Sequence, residues 1–373
     1  MVVRMSSKEE SSDESLEPPP SKRPKPRGPE LILLIYSAPD PGEYSDPSDM
    51  LADQDTVITA HAIANALGSI RYPVVMALIR SMDDAARAAS QFDPTTTLVF
   101  NLCEEIPGRI DGESAAQFPF QHMGFHVIGG TPENLDLCRD KGLTQKFLAN
   151  QGIPTAPHQV FLTGDEPVDM PFPVITKPIW EDSSAGITRD SVIFDEPSLR
   201  RRVKELIAAY HQPIMAEMFL DGREFNISVW GNETPIVLPL AETLFGEVQE
   251  AHAKVLNFDS KWNPDSVEYN EFTVGCPAMV DAEMDRQIRT IALASYQATG
   301  CHDFARIDMR EKDGQLCVLE VNPNPCLALD SGFVRASKEA GYSYPRMLRQ
   351  IVEFSWKRAK KERRRANARQ LAA

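Results

Sequence analysis

The stretch Asp303 to Asp308 (Asp-Phe-Ala-Arg-Ile-Asp), followed across Asp313-Gly314 by Val318 to Pro325 (Val-Leu-Glu-Val-Asn-Pro-Asn-Pro), constrains the fold more than any other part of the chain. Each arm carries β-branched or bulky apolar residues, and Asp-Gly is a favoured tight-turn pair, so the pattern predicts a β-hairpin. Folding at the turn brings Asp308 roughly opposite Glu320, with Arg306 and Asn322 two residues away on the same strand faces. Two carboxylates, an amide and a guanidinium then share one patch. Mg²⁺ is usually held through one or two carboxylates together with substrate phosphates, so the patch suits a metal-nucleotide complex. Taken alone, the hairpin reads more simply as a surface element with exposed acids.

A chain of 373 residues has room for two or three domains. No apolar run approaches the roughly 20 residues that a membrane helix needs. The first ten residues are charged, so no membrane span and no secretory signal are expected. Six cysteines (103, 138, 276, 301, 317 and 326) lie far apart with no Cys-x-x-Cys pair, which argues against zinc and a disulfide framework and for a reducing cytoplasm. The net charge of -15 argues against nucleic acid as a partner of the main body. Residues 1–28, acidic and serine-rich and then proline-rich and basic, read as a disordered leader. Residues 357–373 form a basic C-terminal tail, read as a solvated helix end where cations suit the helix dipole.

Ordered structure is expected to begin at the apolar run Leu31 to Tyr36, a strand of the kind buried in a parallel sheet. A helix from about Thr56 to Leu67, stopped by Gly68, and strands at 74–79 and 97–102 complete a β-α-β alternation. This predicts an N-terminal doubly wound α/β domain over residues 29–132, with Asn101 at the carboxyl edge that faces a cleft. Thr131-Pro132 starts a helix and Gly152 stops it. Strands at 158–162 and 173–177, a small-residue loop and a helix carrying Leu199, Val203, Leu206 and Tyr210 make residues 133–211 a central α+β lobe. Strands at 214–217, 224–230 and 235–240, a helix over 282–299 closed by Gly300, and the hairpin make 212–356 a C-terminal lobe.

Several separated elements call for one explanation. They are Lys141, the strand Phe172 to Pro178 ending in Lys177, the loop Asp182-Ser183-Ser184-Ala185-Gly186, Glu217 with Glu224, and the acidic hairpin. A lysine ending an apolar strand, followed by a small-residue loop, suits phosphate, because the lysine supplies charge and the loop supplies backbone N-H groups at close approach. In order and spacing, from about Phe100 to Phe354, the set resembles the ATP-grasp superfamily and within it the D-alanine-D-alanine ligases. The resemblance implies a two-lobed ATP-grasp unit with nucleotide between the lobes, an ATP and Mg²⁺ requirement (Mn²⁺ able to substitute), small amino-acid substrates, and a homodimer. It implies that Lys141 and Lys177 contact the phosphates and that Ser183, Ser184, Ala185 and Gly186 close over them. Glu217, Met218, Phe219 and Leu220 would meet adenine, and Glu224 the ribose. Asp308, Glu320 and Asn322 resemble the metal ligands and Arg306 the transition-state arginine. Lys261, in Phe-Asp-Ser-Lys-Trp (258–262), and Ser331 resemble the residues that hold the attacking substrate's carboxylate, with Lys261 and Ser183 joining Arg306 in the catalytic set.

Three departures from the family pattern bear on the substrate. The glutamate that pairs with the first substrate's ammonium is missing after the first strand, and Glu43, Asp53 or Asp55 stand as substitutes that spacing does not separate. Cys326 replaces a glycine near the oxyanion site, and Asp182 replaces one in the phosphate loop. The reading is an ADP-forming carboxylate-amine ligase acting through an acyl phosphate. The alternatives are a ligase of the same fold for other amino acids or a peptide-like metabolite and, from another class, a nucleotide-binding module without turnover.

Overall fold

The computed structural model of the protein describes residues 28–38, 50–248, 250–263 and 265–372. Residues 1–27 of the leader and Glu43 lie outside the described residues, as does the side chain of Asp53.

The N-terminal domain runs β1 (Leu31–Tyr36), α1 (Met50–Ser69), β2 (Val74–Leu78), α2 (Met82–Ser90), β3 (Thr97–Leu102), the short α3 (Gly112–Ala115) and α4 (Phe118–His122), and β4 (His126–Ile128). Its strands are parallel, in the order β2-β1-β3-β4. The unbroken apolar run of β1 follows from burial on both faces. Ile32 and Leu34 pack with Ala60, Ile63 and Leu67 of α1, while Leu33 and Ile35 pack with Ala85, Ala89 and Phe120 of α2 and α4. Helix α1 is longer than expected and continues through Gly68 to Ser69. A glycine costs a helix only about 1 kcal/mol, which the packing of Ala60, Ile63 and Leu67 against β1 outweighs.

The single helix expected between Thr131 and Gly152 is two: α5 (Pro132–Arg139) and α6 (Lys141–Asn150). Asp140 leaves the helical region (φ −81, ψ 98), and its carboxylate accepts the Leu143 N–H at 2.8 Å. The capping preference of aspartate thus overrides the helical periodicity and places Lys141 in the first turn of a new helix. The central sheet consists of β5 (His158–Phe161), β6 (Val174–Pro178), β7 (Val192–Ile193) and β8 (Ile214–Met218), antiparallel in the order β5-β8-β6-β7. Helix α7 (Glu196–Tyr210) covers it with Leu199, Val203 and Leu206.

The C-terminal lobe holds β9 (Glu224–Trp230), β10 (Ile236–Val237), β11 (Ala241–Leu244), the short helices α8 (Asp259–Trp262) and α9 (Val267–Glu271), β12 (Thr273–Gly275), α10 (Ala282–Ala298), β13 (Phe304–Lys312), β14 (Gln315–Asn322), α11 (Gly332–Glu339) and α12 (Tyr344–Ala372). Its sheet is ordered β12-β11-β9-β13-β14, with β10 paired to β9. The strand expected at 235–240 shrinks to two residues between Pro235 and Pro239, which have no N–H to give to a ladder. Side chains alternate across this sheet. Phe225, Ile227, Val229, Ile307, Met309 and Val321 pack with Ile288, Ala292 and Tyr296 of α10, so the intervening polar residues point the other way, toward the cleft.

Residues 357–372 continue α12, and Arg358 is not part of a solvated end. Its guanidinium reaches Asp303 and the Val127 carbonyl, each at 2.8 Å, and Asp303 also accepts from Gly129 N at 3.0 Å and Asn232 Nδ2 at 2.8 Å. This one buried carboxylate joins α12, the loop after β4, and the entry to β13. Among the described residues no helix is long and apolar enough to cross a membrane.

Candidate active site

The hairpin pairs Arg306 with Asn322 and Asp308 with Glu320, and the register shifts at a bulge between Asp308 and Met309. Asp313 (φ 52) and Gly314 (φ 81) both take the left-handed conformation that a tight hairpin turn demands. On its other edge β13 meets β9, so Arg306, Asp308 and Arg310 face Ser228, Asn226 and Glu224. A polar row across three strands results. Arg306 grips Asp308 with two N–H groups, Nε to Oδ1 at 2.9 Å and Nη2 to Oδ2 at 2.8 Å. Asn226 Nδ2 donates to Asp308 Oδ1 at 2.9 Å, and Asn322 Nδ2 lies 3.4 Å from Oδ2. Glu224 is buried and pairs with Arg310 at 3.2 Å, whose guanidinium lies over the Phe219 and Phe245 rings at 5.1 and 5.3 Å.

Lys141 approaches the hairpin from α6. Its ammonium donates to the Glu181 carbonyl at 2.5 Å and lies 3.3 Å from both Asp182 Oδ1 and Glu320 Oε1. Burial by itself lowers this ammonium, but Glu320 and then Asp182 raise it above the ordinary lysine value. Burial likewise acts to raise Glu320, and Lys141 and Arg306 override it, holding that carboxyl down at about 2. Asp182 moves the other way: although 61% of its side chain is exposed, the carboxyl end is desolvated where it turns in beside Glu320, and these raise it despite Lys141.

Lys177, in β6, donates to Glu217 Oε2 at 2.6 Å, and Gln145 Nε2 donates to the other oxygen, Oε1, at 2.8 Å. Met218 ends β8, and Phe219 and Leu220 follow it, buried. In the loop, Ser183 (φ 54), Ser184 (φ 68) and Gly186 (φ 73) are all left-handed. A Cβ on Gly186 would stand 2.6 Å from Pro178 Cγ, so both the angle and the space exclude a larger residue. Ser184 Oγ donates to the Leu256 carbonyl at 2.8 Å and Phe258 N to the Ile187 carbonyl at 3.2 Å, which ties the loop to the segment leading into α8. Lys261 lies on α8; the residue as a whole is exposed, but its ammonium is desolvated near Arg306, and these lower it from the ordinary lysine value. Ser331 caps α11, its hydroxyl accepting from Val334 N at 3.5 Å.

The N-terminal domain meets the hairpin through Asn324, whose Nδ2 donates to Glu113 Oε1 at 2.9 Å and to the Asn101 carbonyl at 3.2 Å. Burial pushes the Glu113 carboxyl up to about 8. Asp55, of the three candidate amine-holding acids, has a described side chain. Its Oδ2 is 3.9 Å from Cys326 Sγ, and burial, then Asp330, raise its carboxyl. Cys326 is not among the left-handed residues of the described chain, so replacing glycine there brings no backbone strain.

The residues that spacing alone did not reveal are Gln145, Asn226, Arg310, Glu113 and Asn324. Asn226 stands two residues from Glu224 and so on its face of β9, but only the β9–β13 pairing, which no local pattern announces, sets it against Asp308. As donors for an ion, Asp308, Glu320 and Asn322 offer hard oxygen atoms only, which suits Mg²⁺. Among the described residues no group of three or more His, Cys, Asp or Glu side chains is arranged to hold an ion, so an ion here completes its shell with phosphate oxygens or water.

Residues 147–353, more than half of the chain, match the family model for the D-ala D-ala ligase C-terminus. The chain belongs to that family. It is 30% identical over 273 residues to the uncharacterised protein y4sG of Sinorhizobium fredii, a match covering 71% of this chain and 76% of the relative. It is 27% identical over 259 residues to the D-alanine–D-alanine ligase of Desulforudis audaxviator, covering 68% of this chain and 80% of that one. The crystal structure of the Bacillus anthracis D-alanine–D-alanine ligase complexed with ATP superposes with a TM-score of 0.69 at 20% identity, over 89% of this chain and 99% of the other. The VanG D-Ala:D-Ser ligase of Enterococcus faecalis gives 0.64 at 19% identity, over 88% and 99%. The fold is therefore that of an ATP-grasp ligase, with the parallel and antiparallel sheets described above.

Proposed function

We propose that this protein is an ADP-forming carboxylate-amine ligase that joins two amino acids, with D-alanine the first substrate to test because curated relatives carry that name. The observation that carries the reading is the meeting of Lys141 with Glu320, beside the Arg306–Asp308 pair, in a chain of this family. ATP supplies the phosphoryl group that converts a substrate carboxylate to an acyl phosphate, and Mg²⁺ neutralises charge on the phosphates.

In this reading Lys141 and Lys177 hold phosphate oxygens, and Asp308, Glu320 and Asn322 hold the ion. Met218 to Leu220, with Glu217 behind them, line the adenine site, and Glu224 meets the ribose. The Ser183 to Gly186 loop covers the phosphates and keeps water from the acyl phosphate. Lys261 and Ser331 orient the carboxylate of the attacking amino acid. Arg306 and the backbone after Asn322 stabilise the oxyanion as the amine adds, a kind of interaction worth about 3 to 4 kcal/mol per donor in well-studied enzymes. No enzyme nucleophile is required. The reading includes action in the cytoplasm, with which six free cysteines accord.

The test is incubation of the purified protein with Mg-ATP and each amino acid, singly and in pairs, with phosphate release measured beside mass spectra of the products. Release that depends on D-alanine and yields its dipeptide supports the specific reading. Release with another pair keeps the mechanism and changes the substrate. ATP binding with no release for any pair overturns the ligase assignment for amino acids.

A further inference from the structure

An ammonium has three N–H donors, and Lys141 has three oxygen neighbours to receive them: the Glu181 carbonyl, Asp182 Oδ1 and Glu320 Oε1. The lysine is buried, with 8% of its side chain exposed. A phosphate oxygen can reach its ammonium only by displacing one of these partners.

The three are not equally displaceable. The Glu181 carbonyl is backbone. Glu320 sits inside a β-strand paired to Asp308 and is 23% exposed. Asp182 lies on the loop, and 61% of its side chain is exposed. A 3.3 Å contact made by so exposed a carboxylate is weakly held, since solvent screens it and the side chain regains rotamer freedom on release. Neither neighbouring tie of the loop depends on this carboxylate, because Ser184 Oγ is fixed by the Leu256 carbonyl and Ala185 N by the Asp182 backbone carbonyl.

We infer that Asp182 competes with the nucleotide's phosphates for Lys141, and so makes phosphate binding at this site depend on a divalent cation. This rests on the nucleotide-site reading above. The polyphosphate of metal-free ATP meets two carboxylates, Asp182 and Glu320, around one ammonium, and the like charges repel it. Beside a divalent cation held by Glu320 that repulsion would be offset, and Asp182, with its exposed side chain, would be free to turn to solvent. The residue acts as a filter that favours the metal complex of the nucleotide over the free one.

The test measures ATP binding by calorimetry in chelator and again in saturating Mg²⁺, for the full chain and for Asp182→Asn and Asp182→Gly. The expected result is that both variants bind metal-free ATP about tenfold more tightly than the parent protein, a change equivalent to about 1.4 kcal/mol. The difference shrinks to within about twofold in Mg²⁺, and AMP, which lacks the outer phosphates, shows no difference. Variants that keep the parent's unfolding temperature but bind metal-free ATP no more tightly overturn the inference, as does an equal gain for AMP. Asp182→Asn keeps the side chain's size and decides the question if the glycine variant does not fold. Failure of the parent protein to bind ATP with or without Mg²⁺ is a different result, and it overturns the nucleotide-site reading itself.

Discussion

Lys177 and Glu217 lie 2.6 Å apart on adjacent antiparallel strands, and the remaining Glu217 oxygen is held by Gln145 from α6. Glu217 has 1% of its side chain exposed, so this lysine and this amide stand where water would otherwise be. Removing one partner of such a pair leaves an uncompensated charge in a medium of low polarity. Lys177→Met is expected to destabilise the protein by about 3 to 5 kcal/mol, whereas Lys177→Met with Glu217→Gln recovers most of the loss. Urea unfolding of the two variants checks this, and equal losses would show that packing rather than charge is the cause.

The bidentate grip of Arg306 on Asp308 gives a second expectation. Arg306→Lys keeps the charge but cannot present two parallel donors, so it leaves Asp308 and the oxyanion position poorly served. Turnover should fall by about 10² to 10³ in Arg306→Ala, and by a large part of that in Arg306→Lys. ATP affinity should change little in either, because the contacts assigned to phosphate come from Lys141 and Lys177. Parallel kinetics and binding titrations separate the two effects, and an equal loss in both would place Arg306 in nucleotide binding instead.

The existence of the hairpin was legible in the sequence because two short-range rules announce it: Asp313-Gly314 sets the turn, and the two-residue period sets the faces near it. Those rules alone continue the ladder from Met309–Val318 to Asp308 opposite Leu319, and it is the bulge between Asp308 and Met309, which no local pattern announces, that sets Asp308 against Glu320 and Arg306 against Asn322. The partners from β9 were not legible, since a strand some 80 residues away can pair at any register until packing decides. Hydrophobic alternation shows that Glu224, Asn226 and Ser228 share a face, but not that they face Arg310, Asp308 and Arg306. The break at Asp140 could have been read, because an aspartate three residues before a helical N–H is a capping signal. The role of Arg358 could not. Within a run of cations, nothing local separates the one that turns toward a buried aspartate from those that stay in water.

Glu113 is the source of a pH dependence. Its carboxyl is raised by burial to about 8, so between an ordinary glutamate value and that figure the folded state holds a proton that the unfolded chain releases. A carboxyl raised in this way contributes stability below its unfolded value and loses it as pH rises through the folded one. Stability should therefore decline from about pH 4.5 to about pH 8 by a component that Glu113→Gln removes. Thermal unfolding of the parent and variant across that range tests the point, and parallel pH profiles would show that Glu113 ionises normally. Asn324 Nδ2, which donates to this carboxyl, can still donate to the amide oxygen of glutamine, so the comparison keeps that contact.

Arg358 and Asp303 allow the firmest stability prediction. Asp303 is fully buried and left-handed (φ 62), and it accepts hydrogen bonds from Arg358, Gly129 N and Asn232. It therefore fixes where α12 lies against β4 and where β13 begins, two residues before Arg306. Arg358→Met removes the one cation in this set and leaves the carboxylate with neutral donors only, at an expected cost of about 3 to 5 kcal/mol. Lys357, one residue earlier, is 77% exposed and pairs with Glu233 at 3.8 Å, so Lys357→Ala should change stability by less than about 0.5 kcal/mol. Because the displaced strand carries Arg306, Arg358→Met should also lower turnover more than it lowers ATP affinity in whatever fraction stays folded. Denaturant unfolding of the two single variants, with turnover measured well below the transition, separates this arrangement from a merely basic tail. A tail would give two equal and small effects.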